Sequence, residues 1–382
     1  MNITPTFDRS PLGSTKSMIN TPYWDKVLDD YDNGRFADLL VSMLNYINPE
    51  LVEKYGNADK KYFEIPHGSV VIKIKQTSSE IQIEAPFLDI SNSSKVPLMR
   101  QVTQLNFYPL TLVSIVLDDQ NRLKFTINIP LELAEPYKLY DILREICINA
   151  DRYDDEFITK FKAEWLQEPR IHRFSKNELE DIWTKVQAYI TEAFEYINYM
   201  ETKGVADFVY DVLKSTFAKI DYYISPQGYM RSEFENAIAD LDSRAPFNDR
   251  IYRGKEFLKK LQEYDKEKFL DDIYIADVFI PYKYKSNIND IRKNFQYAYD
   301  TSKDEISKRS FIGAFFTQYC EFLRLFYYNN VDDALADLVT SALEESAQKP
   351  FEEAAGVLRE AFDIVMSEPR FETYLKTYQA KN

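Results

Sequence analysis

Few side chains in this chain are of a type that could do chemistry. Its two histidines stand far apart, His67 in Pro66-His67-Gly68 and His172 in Arg170-Ile171-His172-Arg173. Its two cysteines, Cys147 and Cys320, sit in apolar helical patterns and are expected as reduced core residues, because a free thiol packs as a small hydrophobe. A Cys/His zinc site needs its ligands at short spacings, and these four residues are scattered. Carboxylates gather at Asp29-Asp30-Asp32, at Asp151-Asp154-Asp155-Glu156 and at Asp271-Asp272. Such groups could hold Ca²⁺ or Mg²⁺, but Asp30-Tyr31-Asp32-Asn33-Gly34 puts its glycine one position early for an EF-hand and would place Val41 at the closing glutamate. The acidic runs are expected as solvated faces or helix N-caps. Gly13-Ser14-Thr15-Lys16 lacks the glycine pattern of a P-loop, and neither G-x-S-x-G nor G-x-G-x-x-G occurs. No catalytic residue, metal ligand, cofactor-binding residue or cofactor is therefore assigned.

The composition narrows the partners. The 382 residues carry 62 acidic and 47 basic side chains, for a formal charge of -15. A phosphate backbone demands a basic surface, so nucleic acid is not an expected partner. The first residues, Met1 to Thr21, show no apolar core of a signal peptide, and no apolar run is long enough to span a bilayer. With two cysteines and no disulfide framework, the expectation is a cytoplasmic protein without membrane insertion. The 28 Tyr and 26 Phe are expected mainly in the core and in protein interfaces, where an aromatic ring supplies much contact area. The 9 glycines leave few positions for backbone phosphate cradles.

The elements that must position these groups fall into an arm and two domains. Residues 1–20 are polar, without period, and are expected as a flexible arm. An α+β domain is expected over 21–168. It opens with a helix from about Phe36 to Tyr55, carrying Leu39, Leu40, Met43, Leu44 and Ile47 at helical spacing. Val70, Ile72 and Ile74 then share one face of a strand, and Ile81, Ile83 and Ala85 alternate with Glu80, Gln82 and Glu84, with Thr77-Ser78-Ser79 as the turn of a hairpin. A short helix over 96–106, strands over 111–117 and 123–130 joined by Asp118-Asp119-Gln120-Asn121, and a helix over 137–150 complete the pattern. The second face of the strands reads Lys73, Lys75, Glu80, Gln82, Glu84, Lys124, Thr126 and Asn128, a solvated face of an antiparallel sheet covered on one side. Leu112 and Val116 break that polarity, and a cover is expected for them from the C-terminal region or a second subunit.

From 169 to 382 the period is helical nearly throughout. Ile182-Val186-Tyr189-Ile190-Ala193-Ile197, Phe311-Phe315-Tyr319-Phe322-Phe326, Val331-Leu335-Leu338-Ala342 and Phe351-Ala355-Leu358-Phe362-Val365 are its stripes. Segment 271–285 differs: it is β-branched and aromatic around Pro281, and reads as an edge strand, an extended docking segment or a loop packed on the helices. Within it Phe279, Tyr282 and Tyr284 join Leu112 and Val116 as candidate protein-interface residues.

Leu105-Asn106, the apolar strand to Leu117, the Asp118-Asp119 turn, Leu123 to Leu131 and the helix carrying Asn149-Ala150-Asp151-Arg152-Tyr153 together resemble the YbjN-type domains of the type III secretion chaperone-like family. The resemblance covers roughly residues 34–160 and leaves the helical region outside it. It implies an antiparallel sheet flanked by helices, an Asn106 that caps or turns the chain between helix and strand, and Asp151 and Arg152 at a helix end. It also implies binding of other proteins in bacteria rather than catalysis. The expected function is that of a non-catalytic chaperone, adaptor or scaffold component of a bacterial, secretion-related assembly, with a protein partner or a second copy of itself. A structural subunit of a phage-like or contractile assembly, and an enzyme with a polar site in the helical domain, are the competing expectations.

Overall fold

Alternation of apolar and polar side chains builds the sheet, and a helical period takes over after it. The computed structural model describes residues 3–12 and 18–381. Helices α1 (Tyr23–Asp32), α2 (Phe36–Ile47) and α3 (Leu51–Tyr55) lead into strands β1 (Tyr62–His67), β2 (Val70–Gln76) and β3 (Glu80–Asp89). They are followed by α4 (Lys95–Phe107), β4 (Ser114–Leu117), β5 (Arg122–Pro130), α5 (Pro136–Phe161) and the short β6 (Glu164–Trp165), which pairs back onto β3. The sheet is antiparallel, in the order β1-β2-β3-β5-β4. Ile72, Ile74, Ile81, Ile83 and Phe125 are buried on one face. The other face pairs unlike residues across strands, Lys73 with Glu84 and Lys75 with Gln82, and Lys124 meets Glu84 at 2.7 Å.

Four expectations shift here. The helix over 36–55 divides into α2 and α3, because Asn48 precedes Pro49 and is held extended at φ -161° and ψ 119°. Strand β1 adds an edge to the sheet beyond the strands that the alternation marks. Helix α5 runs on past Ala150 to Phe161, since Asp151, Asp154 and Phe157 all turn inward. Asp151 and Arg152 therefore lie within a helix, not at its end. The strand over 111–117 starts only at Ser114. The backbone N–H groups of Thr111, Leu112 and Val113 all donate to Oε1 of Glu145, at 2.8, 2.9 and 3.1 Å, and leave the ladder. The cover for Leu112 comes from its own domain, for Leu112 packs against the sheet-domain core. Val116 is half-buried opposite Lys124.

The remaining elements are β7 (Ile171–Arg173), α6 (Lys176–Thr202), α7 (Phe208–Ile224), α8 (Gly228–Asp242), α9 (Phe247–Gln262), α10 (Lys266–Asp271), β8 (Tyr274–Ala276), β9 (Tyr284–Lys285), α11 (Ile288–Ser307), α12 (Phe311–Tyr328), β10 (Asn329–Asn330), α13 (Asp333–Ser346), α14 (Phe351–Met366) and α15 (Glu368–Lys381). Local signals start them where expected. Ser175 and Glu178 form a reciprocal capping box at the start of α6, and Asn287 accepts two N–H groups at the start of α11. The aromatic stripes meet in the middle, with the Phe322 and Phe362 rings 4.4 Å apart. No helix among the described residues is long and apolar enough to cross a membrane.

The protein is thus α+β: an antiparallel sheet with its helices, then a mostly helical region. Each half has its own core, and the halves exchange residues. Phe279 and Ile280, which follow β8, belong to the core of the sheet domain. Phe7, from the N-terminal segment, belongs to the helical core and stacks on Tyr222 at 5.4 Å. The expectation of a flexible arm is corrected for residues 3–12. Thr4 N donates to Lys349 O at 2.8 Å, Thr6 is bound through both its N and its hydroxyl to Glu192, and Arg9 reaches Asp337 and Glu344. The remainder of that expectation, and the motif at 13–16, fall largely on residues 13–17, outside the described residues.

Candidate functional site

The polar chemistry of the molecule collects where the two halves meet. His67 ends β1, and Gly68 turns the chain at φ +57°. A side chain at Gly68 would place its Cβ 1.7 Å from Oδ1 of Asp151, so glycine is needed both for the backbone angle and for the space. The turn lets Ser69 N donate to Asp151 Oδ1 at 2.8 Å, with the Ser69 hydroxyl 3.1 Å from the same oxygen and in contact with Asp154. Helix α5 supplies both carboxylates from its inward face, which buries Asp151 and Asp154.

The segment between β8 and β9 closes the site from the other half. Gly68 N donates to Asp277 O at 2.9 Å. Phe279 N and Ile280 N both point at Nδ1 of His67, at 3.1 and 3.4 Å. Nδ1 must then be the acceptor, which leaves the proton on Nε2. Nε2 lies 3.2 Å from the Tyr282 hydroxyl, and that hydroxyl donates to Oδ2 of Asp151. The result is a directed chain, His67 to Tyr282 to Asp151. Burial pushes the His67 imidazole down to about 4, and Asp151 offsets this only in part. A histidine held neutral and fully enclosed, with both nitrogens occupied, is a structural joint rather than a proton shuttle. Burial raises the Asp154 carboxyl well above the ordinary range, with the negative charges of Asp155 and Asp151 adding to it.

Tyr282 also faces outward from the joint. The Arg231 guanidinium lies 3.5 Å over its ring and is bound through Nε to Glu235, which also pairs with Arg152 of α5. Arg144 of α5 donates to the carbonyl of Pro281 at 3.1 Å and stacks on Tyr284 at 4.9 Å. Beyond Tyr282 opens a cavity of about 350 Å³, bounded by the N-terminal segment, α7, α8, the end of α12 and α13. Asp221 and Lys283 face each other in it at 3.9 Å. A second, larger cleft of about 700 Å³ lies between α5, α9 and α10, with Asp155, Asp272, Tyr229 and Tyr264 in its walls. Burial raises Asp155 to about 6 and Asp272 to about 7, with a nearby aspartate adding to each.

Of the five candidate interface residues, three lie together and two lie elsewhere. Phe279 is buried in the sheet-domain core, Tyr282 is in the joint, and Tyr284 is exposed beside Arg144. They line a contact within the chain, so 277–285 behaves as an extended docking segment whose receptor is the other half of the same molecule. Leu112 and Val116 lie at the far edge of the sheet, on and just before β4. The acidic run at 151–156 is not a solvated face: Asp151 and Asp154 are enclosed, as is Asp30, which binds Lys26, Arg35 and Ser42. The inward spacing of Ala150, Asp154 and Phe157 was the available signal. Ser69, Asp221, Arg231 and Lys283 carried none, because nothing local marks them. Among the described residues, no group of three or more His, Cys, Asp and Glu side chains is placed to hold a metal ion.

Comparison with known proteins finds no family that matches the chain, no curated protein similar to it and no solved structure that matches it.

Proposed function

We propose that this chain works by binding another protein, as an adaptor or chaperone-like component, rather than by catalysis. The observation that carries this reading is a rigid aromatic knob. Phe107 and Tyr108 are 88% and 74% exposed, yet the chain on either side of them is tied down. Asn106 makes two bonds to Ile115 of β4, donating to its carbonyl at 2.9 Å and accepting from its N–H at 2.7 Å. Glu145 gathers the three N–H groups that follow, and Leu110 N returns to Leu105 O at 3.1 Å. Two large rings held out on a fixed frame lose little freedom on docking, and aromatic anchors of this kind dominate interface energetics.

The same ties argue against strand addition at β4, since Asn106 already occupies the outward backbone groups of Ile115. The partner that fits is a protein with an apolar pocket for the two rings and a basic rim. A charge of -15 on this chain draws a basic partner and repels a second copy.

The test places a photo-crosslinking residue at position 107 in the native host and compares it with one at Val96 as a control. A single discrete adduct at 107 is expected, together with loss of that partner from the Phe107→Ala/Tyr108→Ala chain at unchanged melting temperature. A partner retained by the double variant would overturn the reading.

A further inference from the structure

The cavity behind Tyr282 holds an ion pair that is not tied by hydrogen bonds. Asp221 of α7 is only 8% exposed. Lys283 faces it at 3.9 Å, beyond hydrogen-bond reach. Among the described residues, neither the carboxylate nor the ammonium takes part in any hydrogen bond. Both side chains keep access to the solvent in the cavity, at 11% side-chain exposure for Asp221 and 27% for Lys283, so their hydrogen-bonding capacity is open to an occupant. Arg231 binds Glu235, Arg9 binds Asp337 and Glu344, and Asn330 donates to the Lys283 carbonyl at 3.3 Å. Arg9, Asp337 and Arg231 are thus held by protein partners, whereas Asp221 and Lys283 show no hydrogen bond among the described residues and can offer theirs to whatever enters. Burial pushes Asp221 upward and Lys283 downward, and the opposite charge of each offsets the other's shift only in part.

The arrangement limits what can enter. An anion seated on Lys283 would face the Asp221 carboxylate. A cation seated on Asp221 would face the Lys283 ammonium. Only a ligand carrying both signs, at a spacing close to that of the pair, satisfies both at once. Next to the pair the wall becomes apolar, with Tyr222, Phe326, Val331 and Pro281. The volume, about 350 Å³, exceeds what a bare head group would fill.

We infer that this cavity binds a small zwitterion of the α-amino-carboxylate type, its carboxylate on Lys283, its ammonium on Asp221 and an apolar side chain against Tyr222 and Phe326. The site stands apart from the protein-binding reading, because the aromatic knob belongs to the other half of the molecule. It is linked to that half through its wall: Tyr282 donates to Asp151 of α5, and the Pro281 carbonyl accepts from Arg144 of the same helix. An occupant would therefore brace the two halves against each other.

The experiment is a calorimetric and thermal-melting titration of the full chain with each of the twenty proteinogenic L-amino acids at millimolar concentration. At least one with an apolar side chain is expected to bind saturably and raise the melting temperature. Its amide, which lacks the carboxylate, and its N-acetyl derivative, which lacks the ammonium, should each bind about tenfold more weakly or worse. Asp221→Asn and Lys283→Met should lose binding by a similar factor. Should either variant fail to fold, the amide and N-acetyl series on the natural chain still decides. Binding by none of the twenty means a cavity filled only by water and overturns the proposal. An amide as good as the acid makes it a cation pocket, and an N-acetyl derivative as good as the free amine makes it an anion pocket. Either result overturns it as well.

Discussion

The Tyr282 hydroxyl donates to the Asp151 carboxylate, which joins a segment of the helical half to the central helix of the sheet half. Asp151 is almost fully enclosed, and its other oxygen is taken by Ser69. The contact between the halves therefore rests on a saturated polar joint set among apolar neighbours, and such joints are sensitive to the loss of any one member.

Tyr282→Phe should show this directly. It strips the donor from Asp151 and the acceptor from His67 Nε2 while keeping the ring under Arg231. Two buried groups are left without partners, at a cost of about 2–4 kcal/mol. Urea unfolding is the measurement. Trp24 and Trp165 report the sheet half and Trp183 the helical half, so the loss should also separate the two transitions. An unchanged midpoint would mean that the joint contributes nothing.

Gly68→Ala should be costly for a reason specific to its neighbour. The left-handed backbone angle alone costs a residue with a Cβ about 1–2 kcal/mol. The displaced Asp151 carboxylate would lose its bond to Ser69 N as well. In an Asp151→Ala background the steric part disappears, so the same substitution should cost visibly less. A double-mutant cycle on melting temperature reads the difference, and additive effects would contradict the placement of Gly68.

The pH dependence should contain two opposing parts. His67 in the folded chain is depressed from 6.5 to about 4, so its stabilising share is present above pH 6.5 and is lost as pH falls toward 4. Asp155 and Asp272 are raised from 3.8 to about 6 and about 7, so their share is present below pH 4 and is lost as pH rises to 7. Asp155→Asn and Asp272→Asn should therefore stabilise the protein by about 2 kcal/mol each at pH 8 and by little at pH 4. His67→Gln should flatten the acid limb. Denaturant midpoints across pH 4–8 check both, and equal gains at the two ends would contradict the raised carboxylates.

Asn106→Ala should open the sheet edge. It leaves the N–H and carbonyl of Ile115 unpaired in a partly enclosed position, at about 1–3 kcal/mol. Exposed edge groups invite pairing with another chain, so light scattering should show added association at high concentration. A variant that stays as stable and as dispersed as the natural chain would show that Asn106 does not guard this edge.

How far the sequence discloses this architecture depends on the length of each signal. Ile72, Ile74, Ile81 and Ile83 alternate strictly, and the hairpin they predict is present. The stripe from Ile182 to Ile197 likewise becomes α6 with the expected face buried. Strand β1 escapes because Lys60 and Lys61 lead into it, Pro66 sits inside it, and its run is short. The joint escapes for a different reason. Asp151 and Asp154 look like surface residues until Ser69 and Tyr282, distant in sequence, are brought onto them. A buried carboxylate is legible only through its partners, and those partners are set by tertiary structure. The segment 277–285 has no period because its residues bind in several directions at once: Phe279 into one core, Tyr282 into the joint and Lys283 into the cavity.

The exchange of Phe7 for Phe279 and Ile280 between the two cores has a consequence for how the chain is made. The sheet half leaves the ribosome first, yet two residues of its core arrive only when synthesis has passed position 280. The segment that carries Thr4, Phe7 and Arg9 is made long before its receptors: α7 for Phe7, and α13, near residue 340, for Thr4 and Arg9. The sheet half cannot close its core until residue 280 is made, and a ribosome stalled before that position would carry a sheet domain with an open flank.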